Sequence, residues 1–343
     1  MTDLGLDCWR VGVTPVPTRP TTLRPDLWRA VASRAMLAPS AHNTQPWRFQ
    51  LRGGALELRS DQSRVLPVAD PQGRELVISC GAALETARVE LACRGLTPLI
   101  ELLPDPRDRT LLAVLHTGGY RPPSLREQAL RAAIARRRTS RAAFSSAPVN
   151  GALLEQLQRA AVQGGAHLHR IAEGDRACVA DLVAEGDRRQ GNDPFFRAEL
   201  AAWLRPEAKS TGDGMPTRSY GIPPFFARAG IALLRMLPWG SVRARRNREL
   251  ARRAPALLLL GTDGDAKRDW LVAGMALQRT LLTATMQGLL AGFLDQAMAF
   301  PSLRRSLGDR VGAGTVPQLL LRVGYGQLPP PTPRRTIDEI MAE

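Results

Sequence analysis

The stretch LAPSAHNTQPWRFQL, residues 37–51, sets Ser40, His42, Asn43, Thr44 and Gln45 between Pro39 and Pro46. Asn43 and Gln45 can each offer amide donors and acceptors to a polar ligand. Asn and Ser also close turns on their own backbone, so a plain turn is the competing reading. Seven such residues ending in a tryptophan exceed what a turn requires. A second stretch, RRRTSR at 136–141, groups four arginines around Thr139 and Ser140. Guanidinium groups are planar bidentate donors suited to phosphate, although such a run also serves as a solvated basic face.

The elements that hold these residues follow from periodicity. Residues 23–38 place Leu27, Trp28, Val31, Ala35 and Leu37 at helical spacing, and Pro39 ends that helix. WRFQL and ALELRS alternate apolar and polar residues around Gly53-Gly54, which reads as a hairpin. The polar turn therefore sits on a tight junction between rigid elements. The chain then repeats itself: GAALETARVELACRGL (81–96) and GMALQRTLLTATMQGL (274–289) both run Gly-x-Ala-Leu, helix, Gly-Leu. Gly95 and Gly288 suit helix C-termini, where positive φ is cheap. A strand precedes each helix (55–61 and 256–263) and a glycine-closed strand follows (110–119 and 318–326). A repeat of this length is a duplicated domain. The expected fold class is α+β, in two related halves at 20–125 and 130–335, each with a mainly antiparallel sheet flanked by helices. TGGYRPPS (117–124) reads as the linker. Only the first half carries the APSAHNTQPW turn and only the second opens with the arginines, so the halves are expected to pack together and share one site.

Bulk properties narrow the class. With 343 residues and 44% hydrophobic content, globular halves with real cores are expected. No uncharged apolar run is long enough to span a bilayer, and the N-terminal stretch lacks a signal peptide's basic start and apolar core; cytoplasmic residence with no membrane partner is expected. Cys8, Cys80, Cys93 and Cys178 are scattered and form no disulfide or zinc pattern. His167 and His169 would share one face of a strand but lack a third clustered ligand for a metal. The net charge of +15 raises nucleic acid as a partner. Against that, nearly all the charge is arginine, with Lys209 and Lys267 the only lysines, and aromatics make up only 5%. That leaves little for base stacking.

APSAHNTQPWRF resembles the A-P-S-x-x-N-x-Q-P-W motif of FMN-dependent nitroreductases. RRTSRAAF resembles that family's opening arginine motif, and TPRRTIDEI (332–340) its closing basic segment. The order within one tandem chain is similar to the Acg-type branch, whose members fold as pseudo-dimers. The resemblance spans nearly the whole chain and implies a nitroreductase-like fold with FMN held between the halves. It implies Pro39, Ser40, Ala41 and Asn43 from the first half. From the second it implies Arg137, Arg138, Thr139 and Arg141 at the phosphate, joined by Arg334 and Arg335. Thr332 stands where the family's closing segment has a lysine. Asn247 matches a position at the flavin ring edge. Asp295 and Gln296 stand where a Glu-Gly backbone commonly approaches the flavin N5.

If FMN binds, the flavin carries the chemistry, with NADH or NADPH as hydride donor and a small organic acceptor in a ping-pong cycle. Ser40, His42 and Thr139 then need no catalytic role. Residues 186–246 form a long insertion relative to the first half and read as a lid; their apolar part also suits core packing or a subunit contact. Three readings stay open: an FMN oxidoreductase on a small-molecule substrate, a flavin-sequestering protein whose lid blocks turnover, and a nucleic-acid-binding protein, expected least. A monomer acting as its own pseudo-dimer is expected.

Overall fold

The computed structural model describes residues 25–206, 211–311 and 314–342; Cys8, Lys209 and the N-terminal stretch read for targeting lie outside them. Helix α1 (Pro25–Ala35) buries Trp28, Val31, Ala32 and Ala35, and the Trp28 indole donates to the Gly54 carbonyl at 3.0 Å. It stops short of the expected end at residue 38. Leu37 and Ala38 instead donate to the carbonyls of Arg34 and Ala35, a tightened turn leading into Pro39. The hairpin forms as expected from β1 (Trp47–Arg52) and β2 (Ala55–Ser60). Helix α2 (Arg74–Cys93), β3 (Leu96–Leu102) and β4 (Leu111–Tyr120) complete this half. Strand β4 includes 117–120, so the expected linker begins inside a strand.

The second half opens with α3 (Leu125–Arg136), whose start is fixed by reciprocal Ser124–Glu127 capping. Then come α4 (Gly151–Gln163), β5 (His167–Arg170), α5 (Arg176–Asn192), α6 (Pro194–Ala202) and the short pair β6 (Leu204–Arg205) and β7 (Met215–Pro216). They are followed by α7 (Ala227–Met236), α8 (Gly240–Arg252), β8 (Ala256–Thr262), α9 (Lys267–Met286) and β9 (Leu290–Phe293). The chain closes through α10 (Pro301–Val311), β10 (Val316–Gly324), α11 (Ile337–Ile340) and β11 (Met341–Ala342).

The duplication is written in the sheets. One runs β11-β1-β2-β4-β3, the other β5-β8-β10-β9. Apart from β11 the orders correspond strand for strand, and all those pairings are antiparallel. Strand β11 breaks the symmetry: it pairs in parallel with β1, Phe49 opposite Met341, so the chain's C-terminal end joins the first half's sheet. The first half's two-residue turn Gly53-Gly54 corresponds to everything between β5 and β8. The bounds 186 and 246 read from the sequence fall inside α5 and α8, which pack on the second half's core through Val179, Val183 and Ala251. The part between these two helices, residues 193–239, is termed the cover for its place outside that core.

The repeated Gly-x-Ala-Leu has a packing cause. Helices α2 and α9 cross at Gly81 and Gly274. A Cβ on Gly81 would stand 3.0 Å from the Gly274 Cα, and one on Gly274 would stand 2.9 Å from the Ala82 nitrogen. Only two glycines let the backbones approach this closely. Around the crossing Gln278 donates to the Thr86 hydroxyl at 2.9 Å and Arg279 to Glu85 at 3.0 Å. Burial opposes the charged Glu85 carboxylate, but Arg88 and Arg279 outweigh it and hold its pKa below the usual range. Gly95 and Gly288 take φ of +79° and +72°, as their terminal positions suggest.

Candidate active site

The junction of the halves encloses a cavity of about 440 Å³. Its first-half wall is the Pro39–Asn43 turn with Glu75, Ile78 and Ser79 of α2. Its second-half wall comprises residues 137–139, Arg141, Leu277 of α9, Asp295 and Gln296. Phe196, Met215, Tyr220 and Arg243 come from the segment between β5 and β8, and Arg334 from the C-terminal arm.

The turn is held in costly backbone geometry. His42, Asn43 and Gln45 all have positive φ, at +47°, +54° and +51°. Such residues persist only where their surroundings over-determine them. Here the Gln45 amide N–H donates to the Ser40 hydroxyl at 3.0 Å, and the Ala41 N–H to Ser79 Oγ at 3.3 Å. The Asn43 side chain donates to the carbonyls of Gly214 (2.9 Å) and Pro333 (3.1 Å) and accepts from Arg334 (2.8 Å). Gln45 donates to the Gly212 carbonyl and accepts from the Arg335 N–H. Asn43, expected at the ligand, lines the cavity and at the same time, with Gln45, ties the segment at 212–214 and the C-terminal arm to the turn.

The arginine stretch is positioned by the edge of the second sheet. Thr139 bridges Ala291 of β9, and the Ser140 N–H donates to the Ala291 carbonyl at 2.8 Å. Buried Arg322 of β10 donates to the carbonyls of Ser140 and Ala142, pinning the strand-like run from below. Arg137 and Arg138 then meet Arg334 at one end of the cavity. Among the described residues none of the three has a carboxylate partner. Arg137 makes two contacts at 3.4 Å, to Thr139 Oγ1 and the Leu37 carbonyl. The Nε atoms of all three are buried without a partner. Burial, then the neighbouring Arg334 and Arg138, pushes Arg137 down to about 9; burial and Arg138 push Arg334 down to about 10. Arg334 also donates to the Asn43 Oδ1 and to the Leu37, Ala38 and Pro333 carbonyls, and Arg138 to the Ala135 carbonyl, so the charge of the three is met by neutral oxygens alone among the described residues.

Arg141 lines the same cavity. Its guanidinium lies 3.4 Å from Met215 Sδ, and its charged neighbours are Arg243 and Arg246. Burial and these arginines lower its pKa. Close by, burial with Arg243 and Arg141 pushes His42 down to about 3, so the imidazole is neutral, with a partnerless Nδ1. Its ring meets Phe196 edge-on at 6.4 Å. Arg243 is ion-paired to Asp187 at 3.1 Å and lies over the Tyr220 ring.

On the α2 side two carboxyls face the cavity. Burial pushes Glu75 up to about 8, against the pull of Arg74, with Asp70 and Asp295 adding to the rise. Burial pushes Asp295 up to about 7 although it accepts from the Leu320 N–H at 2.6 Å. The cavity thus carries cations at one end and proton-holding carboxyls elsewhere.

Two expected residues fall off the wall. Asn247 is buried behind it, donating to Asp187 at 2.8 Å, and so reaches the cavity only through the Asp187–Arg243 pair. Arg335 turns away, donating to the Gln45 carbonyl and pairing with Asp61 at 3.6 Å. Its neighbour Arg334 takes the inward position, as alternation along an extended arm requires.

No protein-family model matches the chain. A Mycobacterium tuberculosis (strain H37Rv) protein with the provisional name NAD(P)H nitroreductase Rv3131 is 36% identical over 320 residues, 91% of this chain and 90% of that protein. The chain belongs to the nitroreductase family. The protein named acg from the same strain, also provisionally an NAD(P)H nitroreductase, is 31% identical over 332 residues, 93% of this chain and 96% of its own. Among solved structures, the FMN and NADPH-dependent nitroreductase NfnB from Sphigopyxis sp. strain HMH aligns over 62% of this chain and 98% of its own, at 20% identity and a TM-score of 0.43.

In this chain, sequence reasoning missed Glu75, Ser79, Phe196, Tyr220 and Arg243. Glu75 stands at a helix start, where an acidic residue ordinarily serves the helix dipole. Phe196, Tyr220 and Arg243 lie in the insertion, where no periodicity says which side chains turn inward. Among the described residues no His, Cys, Asp and Glu cluster could hold a metal. His167 and His169 stack at 6.1 Å beside Asp263 and Thr315.

Proposed function

We propose that this protein is an FMN-dependent oxidoreductase that passes a hydride from NADH or NADPH to a small organic acceptor. The observation that carries the reading is the trio Arg137, Arg138 and Arg334: among the described residues they have no carboxylate partner, each has a buried, partnerless Nε, and all three line a cavity walled by both halves. The donor set suits a phosphate dianion, and the volume lies in the range of cofactor pockets. FMN, when bound, supplies the hydride-accepting ring. The protein's part is to hold and tune it. Arg137, Arg138 and Arg334 would take the phosphate, with Thr139 Oγ1 beside them. Arg141 and Arg243 keep positive charge over the rest of the cavity, which favours a reduced, anionic ring. Glu75 and Asp295 hold protons near neutral pH and can deliver one to a reduced acceptor. Phe196 and Tyr220 help exclude water.

The test is an anaerobic absorbance titration of FMN-loaded protein with NADPH and then NADH. Bleaching of the flavin band supports the enzyme. A flavin that stays oxidised favours the second reading, retention of FMN under a closed cover. That reading draws on one specific feature: Asn43 and Gln45 bond directly to Gly214 and Gly212 of the cover, tying it shut over the cavity.

A further inference from the structure

Between Gly214 and Arg248 the sequence holds seven arginines and no aspartate or glutamate. This stretch folds as the outer part of the insertion. Helix α7 is anchored by one face only: Ala227 and Gly230 are buried, and Ile231 and Leu234 pack on the Phe196, Leu200, Leu204 and Met215 cluster. The opposite face carries Ala229, Ala232, Leu233 and Met236, and it lies open. Phe225 just before the helix is 91% exposed, Met236 at its end 68%, and Val242 on α8 77%. Phe226 and Leu237 are exposed too. Large apolar side chains exposed this densely, six between Phe225 and Val242, mark an interaction surface more often than a bare one. Arg228 and Arg235, seven residues apart, line one flank of that face, and Arg245 follows on α8. Among the described residues none of these three has a carboxylate partner. Arg243 and Arg248, by contrast, pair with Asp187 and Asp181.

We propose that α7, with Phe225 before it and the start of α8 after it, docks on an anionic lipid surface. The apolar side chains would enter the headgroup boundary while Arg228, Arg235 and Arg245 bond lipid phosphates, their stems lying along the interface. The charge selects this occupant. Two copies meeting through the same face would set arginines against arginines with no acid to separate them. Lying on a bilayer needs no spanning helix, and none of the described helices is long and apolar enough to span one. The absence of a spanning or targeting run in the sequence had pointed to no membrane partner, but a surface-lying helix needs neither. The segment that would dock also walls the cavity through Met215, Tyr220 and Arg243.

The test is co-sedimentation of the full chain with phosphatidylcholine vesicles, with and without phosphatidylglycerol. Binding is expected to phosphatidylglycerol-containing vesicles and at least tenfold weaker to phosphatidylcholine alone. The doubly substituted Phe225→Ser, Met236→Ser chain should lose at least tenfold in binding with an unchanged melting temperature, because both side chains are exposed. Arg228→Glu with Arg235→Glu should lose the preference for phosphatidylglycerol. The proposal is overturned by no binding to either vesicle. It is equally overturned if the serine pair binds as the parent does, or if the pair instead abolishes a dimer seen by light scattering while vesicle binding is absent.

Discussion

Gly274→Ala sets helix propensity and packing against each other, and they predict opposite signs. In an exposed helix interior this change adds about 1 kcal/mol of stability. At Gly274 the new methyl carbon would lie 2.9 Å from the Ala82 nitrogen and 2.8 Å from the Ile78 carbonyl carbon, and nearer still to that carbonyl's oxygen. All three atoms are backbone, so no rotamer change relieves the overlap; α2 and α9 must part. Overpacking of this kind costs about 3 kcal/mol. The propensity gain offsets about 1 kcal/mol of it, leaving a net loss of about 2 kcal/mol. Gly81→Ala, whose methyl would meet the Leu271 carbonyl and the Gly274 Cα, should lose a similar amount. The double variant should cost less than both together, since one separation of the helices serves both methyls. The assay is urea unfolding of the apo-protein, with Gly151→Ala as control, where an added Cβ meets nothing within 4 Å. Parting the helices also moves Glu75 and Ile78 away from Leu277, so FMN retention should fall in parallel. A Gly274→Ala midpoint at or above the parent's would refute the close-crossing argument.

Other consequences can be checked independently. Arg137→Ala should weaken FMN binding by about 10- to 100-fold in a fluorescence titration. The same change should leave the apo-protein as stable or more so, because the guanidinium removed has no counter-charge; unchanged FMN affinity would remove Arg137 from the phosphate site. Glu75 and Asp295 have folded pKa values raised above their ordinary 4.5 and 3.8. Their stabilising contribution is therefore fully present below those ordinary values and lost as pH rises through about 7 and 8. The apo-protein's urea midpoint should fall across that window, and Glu75→Gln should flatten the fall; an unaltered slope would count against a buried, proton-holding Glu75. Asn43→Ala cuts the cover's tether, so hydrogen exchange around residues 212–215 should quicken and FMN should leave faster. Unchanged exchange there would show that the other contacts suffice.

Local chemistry carried far in this chain. Alternation around Gly53-Gly54, the helix broken before Pro39 and the Gly-x-Ala-Leu repeat were readable because each is set by neighbours within a few residues. The order of the turn, the arginine run and the closing basic arm also marked which segments would meet. What side chains do once they meet was not readable. Asn43 lines the cavity, but that it and Gln45 also hold the cover and the arm was not readable, because their partners, Gly214, Pro333 and Gly212, lie far along the chain. Arg141 lines the cavity, and only the fold shows that Arg243 and Arg246 are its charged neighbours. Arg334 and Arg335 were indistinguishable until the extended arm turned one inward and the other onto Asp61. Strand β11 joining the first sheet, and Glu75 becoming a proton-holding wall residue, depend on burial between halves. Sequence by itself determined the elements, the duplication and the family, all of which rest on local pattern and residue identity. Only the tertiary structure decided which charges are left without a counter-charge, because that depends on every group packed around them.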